Sequence, residues 1–266
     1  MISADAAPDV AEPPPPMLPA TASSLRRWNL GMGLIHALQG VAVVALATAF
    51  ALPVTASFLN GPPGTPASAP TTLFDVSIAW GVALFLFLSA GFHWLVSAPG
   101  VFGRYIAGLQ ADHNFYRWAE YSLSSSVMIV LIALITGISD IAALIAIFAA
   151  NAAMIFFGAV QEKYERPGGS LLPFWMGCVV GIAPWLAIGI YLWSPGSAAE
   201  PPAFVYGIFV SLFIFFNIFA INMLLQYRRV GRWRSYLFGE KTYIILSLVA
   251  KSLLAWQVFA GTLAPR

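Results

Sequence analysis

The sequence predicts an all-α membrane protein built as a bundle of seven transmembrane helices. Three observations carry this. The chain of 266 residues is 59% hydrophobic and 9% charged, where a soluble domain carries about 25% charged residues, and its mean hydropathy is +0.80. Its apolar residues gather into seven runs, each close to the roughly 20 residues needed to cross a bilayer. Its cationic residues collect at alternate ends of those runs. The lipid bilayer is therefore the first partner implied. A nucleic-acid partner is not expected, because the net charge is only +2 and the basic residues do not form one face.

The runs cover about 26–50, 73–98, 114–137, 140–162, 171–194, 203–227 and 238–262. Residues 1–24, rich in Pro, Ala and Ser, read as a disordered tail. No apolar run follows a charged start there, so no signal peptide is expected. Residues 25–266 form a single domain. The connection from Leu52 to Thr72 holds Asn60-Gly-Pro-Pro-Gly64 beside Val54-Thr-Ala-Ser-Phe58, which suits a hairpin or irregular ribbon, with a plain surface loop as the alternative. The single Cys178 excludes internal disulfides and cysteine metal clusters, and no metal site is expected.

Charge sets the orientation. Arg26, Arg27, Arg104, Arg117, Lys163, Arg166, Arg228, Arg229, Arg232, Arg234 and Lys241 fall on one side, eleven of the thirteen cations. Arg266 alone falls on the other. By the positive-inside rule the N-terminus is cytoplasmic and the C-terminus extracellular.

The remaining cation, Lys251, lies within the seventh run, roughly 20 Å from its start at about 1.5 Å per residue. Ionisable groups at such depth face the bundle interior and usually serve function. Either this amine attacks a carbonyl to form a Schiff base, or it is a cation paired with a carboxylate for packing or ion transport. Of the eleven acidic residues, ten fall in the tail, in loops or at span ends, leaving Glu120 as the interior partner. Counted from Asn114, Glu120 lies only about 9 Å deep, and the backward tilt of the lysine arm closes part of that gap.

Helical spacing groups further polar residues. Arg117, Glu120 and Ser124 share one face, and Ser247 lies one turn before Lys251, where its hydroxyl can meet the nitrogen. His36 and Gln39 are three apart in the first run, and Ser89 and His93 four apart in the second. The alternating directions of the runs put His36, His93, Arg117 and Glu120 in the cytoplasmic half, which predicts a hydrated cavity there. The two histidines either hold a proton transiently or are structural. Met128, Met154, Trp175 and Phe216 are either walls of a flat slot for a conjugated ligand or ordinary packing residues.

Ser247-Leu-Val-Ala-Lys-Ser-Leu-Leu-Ala-Trp256 resembles the retinal-lysine segment of heliorhodopsins, and Arg117-Trp-Ala-Glu-Tyr-Ser-Leu-Ser-Ser-Ser126 resembles their counterion segment. Leu59-Asn-Gly-Pro-Pro-Gly64, Gln161-Glu-Lys-Tyr164, Leu172-Pro-Phe-Trp175 and the inverted orientation agree, and the similarity covers about 26–263. The resemblance implies a rhodopsin-type bundle with an extracellular β-ribbon used in homodimers. It implies Lys251 carrying all-trans retinal as a protonated Schiff base, Glu120 as counterion, and Ser247 as hydrogen-bond partner. Tyr121, Ser125, Met128, Met154, Trp175 and Phe216 would surround the chromophore, and His36, His93, Ser89 and Gln39 would line the inner cavity.

The expected function is light sensing without ion pumping and without enzymatic activity, in the cell membrane. Pumps of related type carry a second carboxylate about three turns after the counterion and another four residues before the lysine. Here those positions hold Leu131 and Ser247. The alternatives are a light-driven or light-gated proton or ion transporter, and a receptor or carrier without photochemistry. Arg228–Arg234 reads either as a docking surface for a cytoplasmic signalling partner or as a topogenic charge cluster.

Overall fold

The computed structural model describes residues 17–193 and 200–265. Residues 1–16 of the expected tail and Arg266 lie outside the described residues. The elements run α1 (Pro19–Leu46), β1 (Ala51–Ala56), β2 (Thr71–Ser77), α2 (Ile78–Ser97), α3 (Phe102–Gln110), α4 (Phe115–Ile135), α5 (Ile141–Tyr164), α6 (Leu172–Leu192), α7 (Ala203–Tyr227) and α8 (Tyr236–Val258). All of these helices except α3 are long and apolar enough to cross a membrane. They pack in a ring, α1–α2–α4–α5–α6–α7–α8, closed by α8 against α1 and α2. In its most apolar window α4 is 67% buried and α5 only 17%. The site's carboxylate-bearing helix is therefore central, and α5 faces lipid.

Three expectations are corrected. α1 begins at Pro19, so residues 19–24, expected in the tail, are helical. Proline suits this first position because its missing N–H has no partner in a first turn. Residues 73–77, expected at the start of the second span, belong instead to a strand, Thr71–Ser77. Its β-branched and aromatic residues favour extended backbone, and hydropathy alone does not separate an apolar strand from a helix. The stretch before Asn114, expected as a connection, contains α3. Phe102, Tyr105, Ile106 and Leu109 have the spacing of one helical face, and Tyr105 and Leu109 are buried.

The connection after α1 is a ribbon. β1 and β2 pair antiparallel from Ala51↔Ser77 to Ala56↔Thr71, with an irregularity at Val54/Thr55. At its tip Thr65 N donates to Pro62 O at 3.0 Å, and Gly64 takes φ +99°, the conformation required at the third position of a type II turn. Thr55 N donates to Ser139 O at 2.8 Å, anchoring the ribbon to the α4–α5 turn.

Capping is local and legible. Asn114 Oδ1 accepts from Arg117 N at 3.2 Å, and Asp140 Oδ1 accepts from Ala142 N and Ala143 N at the start of α5, satisfying donors that a helix start leaves free. At the other end of the bundle, Leu263 O accepts from Thr48 N at 2.8 Å, tying the end of α1 to the turn after α8.

Candidate functional site

Lys251 is 3% exposed. Its Nζ donates to Glu120 Oε1 at 2.8 Å and to Ser247 Oγ at 2.8 Å. The arm folds back one turn toward the start of α8, as helical side chains do. Ser89 Oγ donates to the same Glu120 oxygen at 2.7 Å. A buried cation and anion thus compensate one another, with hydroxyls taking up further bonding capacity. The Tyr121 ring lies 5.2 Å from Nζ, and its hydroxyl donates to Tyr243 O at 3.0 Å.

From the amine a cavity of about 120 Å³ runs between α4, α5, α6, α7 and α8. Of the residues singled out from sequence, Tyr121, Ser125, Met128, Met154, Phe216, Ser247 and Lys251 line it. So do Trp118, Phe174, Phe219, Met223 and Tyr243, which sequence reasoning did not select. The i, i+3 spacing of Trp118 and Tyr121, and of Phe216 and Phe219, carried that signal. Trp185 stands edge-on to Phe216 at 5.3 Å and supports this wall. Asn151 Nδ2 donates to Ser125 Oγ at 2.8 Å.

Trp175 is not in the cavity. It is 54% exposed and borders a surface groove with Gly168, Gly169, Arg228 and Arg229. One residue of helical rotation puts Phe174 inside and Trp175 outside. Gln39 is also misplaced by the sequence reading. Its Oε1 accepts from Trp256 Nε1 at 3.1 Å, in an exposed position, away from the polar cavity.

That second cavity, about 40 Å³, is lined by Asn29, Ser89, His93, Arg117, Glu120, Glu240 and Ser247 among others. It realises the expected polar region beside Glu120. His93 Nδ1 lies 2.8 Å from Asn29 Oδ1. His36 stacks on His93 with centroids 5.7 Å apart. His36 is fully buried, and neither ring nitrogen has a hydrogen-bond partner among the described residues.

The largest departure concerns Arg117. It was expected to share the polar face of Glu120, but its guanidinium pairs with Glu162 and Glu240. It is held between the Trp118 ring at 4.6 Å and the Tyr243 ring at 4.2 Å. Both carboxylates, assigned from sequence to span ends, are buried, 5% and 2% exposed. Among the described residues Glu120 is therefore one of three buried acids. Span ends counted by hydropathy look solvated, but here packing around Arg117 buries them, and Tyr105 of α3 borders the cavity that holds Glu240.

At the entrance to α4, Asp112 sits beside Arg166 and Arg229. Partial burial pushes its carboxyl above the ordinary range despite these two cations.

No curated protein matches the chain in sequence. Solved structures do match in fold. A cyanorhodopsin from the cyanobacterium Tolypothrix sp. NIES-4075 superposes with a TM-score of 0.62 at 14% identity, covering 92% of this chain and 96% of that one. The transmembrane domain of Salpingoeca rosetta rhodopsin phosphodiesterase gives 0.61 at 13% identity, covering 91% and 85%. A thermophilic rhodopsin gives 0.58 at 15% identity, covering 91% and 92%. These likenesses establish a rhodopsin fold.

A retinal chromophore fits the residues present. The cavity beside Lys251 is walled by aromatic and thioether side chains and carries an amine at one end. A Cβ on Gly158 would stand 2.5 Å from the Trp118 ring, and one on Gly177 would stand 3.2 Å from Met154 O. Glycine at these two positions lets the walls close flat around a planar ligand. A heliorhodopsin family model matches residues 25–263, so this multi-pass membrane chain belongs to the heliorhodopsin family.

Proposed function

We propose that the protein is a light sensor in the cell membrane, in which all-trans retinal is bound as a protonated Schiff base on Lys251 and a change of shape, not ion pumping, is the output. The observation that carries this is the placement of Lys251 Nζ between Glu120 and Ser247 at the end of the aromatic cavity.

Retinal, when bound, supplies light absorption and an isomerising double bond. The chain's residues do the rest. Glu120 is the counterion, and its charge keeps the Lys251 nitrogen protonated. Ser89 fixes the Glu120 oxygen, and Ser247 offers the nitrogen a second contact. Tyr121, Ser125, Met128, Met154 and Phe216 hold the ligand's course. When the nitrogen turns from Glu120, its proton passes to Glu120 or to the polar cavity at His93 and Ser89. Leu131 is buried among apolar side chains, and Ser247 stands where a pump carries an acid, so a vectorial path lacks carboxylates at both places.

A light-driven or light-gated transporter is the second reading. The polar cavity holding Glu120, Arg117 and Glu240 favours it. The cation distribution supports a cytoplasmic N-terminus and an extracellular C-terminus, with the ribbon outside, where it would join two copies as a homodimer. The exposed arginines of residues 228–234 would then face a cytoplasmic signalling partner. No substrate turnover belongs to this reading.

The test is the absorption spectrum of purified protein after expression with all-trans retinal, before and after illumination with hydroxylamine. A visible band that bleaches supports the reading, and a colourless protein overturns it. Photocurrent from illuminated membranes would select the transporter over the sensor.

A further inference from the structure

Arg117, Glu162 and Glu240 form a buried triad with two acids and one guanidinium. If both acids were ionised, one negative charge would be left without a cation. An uncompensated charge away from water is expensive and is normally removed by taking up a proton.

Among the described residues no second buried cation pairs with the triad. From α4, Tyr116 and Tyr121 border the same cavity as Glu240, as do Tyr105 of α3, His93 of α2 and Asn29 of α1. From α8, Tyr236 and Tyr243 face the triad. Lys251 is taken by Glu120, and Lys241 Nζ lies over the Trp28 ring at 6.0 Å. Arg166 borders, with Asp112, Tyr236 and Tyr243, a small cavity that reaches Glu162, but it is exposed to solvent and sits beside Asp112, and Arg229 is likewise exposed. The start of α4 reaches the triad, where Asn114 N donates to Glu162, and offsets part of the excess.

Hydrogen bonding separates the two acids. Glu162 accepts from Asn114 N, Trp118 Nε1, Tyr236 Oη and Arg117. Among the described residues Glu240 accepts from Asn114 Nδ2, at 2.6 Å, and Arg117. Glu240 therefore has fewer donors around its oxygens than Glu162. Glu240 also lines the cavity that reaches Glu120 and Ser247.

We propose that the Arg117–Glu162–Glu240 triad binds one proton in the resting protein, held on Glu240, and that this carboxyl is a proton store for the Lys251 nitrogen. The second half rests on the retinal reading above. There, a proton lost from the nitrogen is replaced from Glu240 through the shared cavity. Glu240 becomes carboxylate as the nitrogen regains its charge, and the triad then recovers the proton that the nitrogen had given to Glu120 or to the shared polar cavity.

The first half is tested without retinal. Carbon-13 NMR of glutamate-labelled apoprotein in lipid at neutral pH should show one protonated side-chain carboxyl. Glu240→Gln should remove it. Glu162→Gln should remove it too, because one acid then balances one guanidinium and Glu240 ionises. Glutamates that are all ionised in the wild type, or a protonated signal surviving both variants, overturn the proposal; the wild-type spectrum decides even if a variant fails to fold. In the pigmented protein, flash spectroscopy should show the nitrogen regaining its proton about a hundredfold more slowly in Glu240→Gln, the scale of a lost general acid. An unchanged rate removes the store's role. Colourless wild type would instead defeat the retinal reading and leave the NMR result standing.

Discussion

Glu120 Oε1 and Lys251 Nζ meet at 2.8 Å, although Glu120 is the sixth residue of α4 and Lys251 the sixteenth of α8. The two helices start at different levels. Asn114, which caps α4, bonds Glu240 in the second turn of α8, so α8 has already advanced when α4 begins. The returning lysine arm covers the rest. A depth counted along each helix separately therefore overstates their separation.

Removing that amine should remove the pigment. Lys251→Ala should give no visible band with all-trans retinal, and retained colour would reject the attachment site. The apoprotein should also lose roughly 3–5 kcal/mol, the cost of leaving a buried charge unpaired. Adding Glu120→Gln should recover much of that loss in thermal unfolding.

Glu120→Gln alone should shift the band to longer wavelength where the nitrogen keeps its proton, and into the near ultraviolet where it does not. A spectrum identical to wild type at every pH would remove Glu120 from the role of counterion.

Gly158→Ala puts a methyl against the Trp118 ring. Overpacking of this kind costs about 1–3 kcal/mol. Lower thermal stability and slower or weaker pigment formation are expected, and an unchanged reconstitution rate would mean that Trp118 does not shape the cavity.

Asp112 tests pH dependence outside the membrane spans. Its carboxyl is raised in the folded protein by partial burial, so its contribution is most favourable below the unfolded value and is lost as pH rises through the folded one. Asp112→Asn should therefore unfold at higher temperature than wild type at neutral pH, with the difference fading in acid. Asn also tolerates the φ of +56° found there. A gain of equal size at both pH values would make the effect conformational rather than electrostatic.

Labels attached near the N-terminus should be protected in intact cells. Reaction with an impermeant reagent there would reverse the orientation inferred from charge.

Much of this architecture was legible in the chain. Seven apolar runs and the Lys251, Ser247 and Glu120 set follow from composition and helical spacing. The Asn60–Gly64 stretch announced its turn. Other features were hidden for physical reasons. Thr71–Ser77 is as apolar as a span start, and only its pairing with Ala51–Ala56 makes it a strand. Trp175 and Phe174 are adjacent and alike, so the rotation of α6 decides which enters the cavity. Glu162 and Glu240 lie near helix ends, where sequence suggests water, and only the packing around Arg117 reveals their burial.

One oxygen of Glu120 receives Ser89 from α2 and Lys251 from α8, so a single carboxylate on α4 is the junction of three helices. Breaking the lysine contact would leave α2 and α4 still fastened and release only α8. The mechanical output would then emerge as motion of the last helix against a fixed pair, at the segment whose start adjoins the arginine-rich turn.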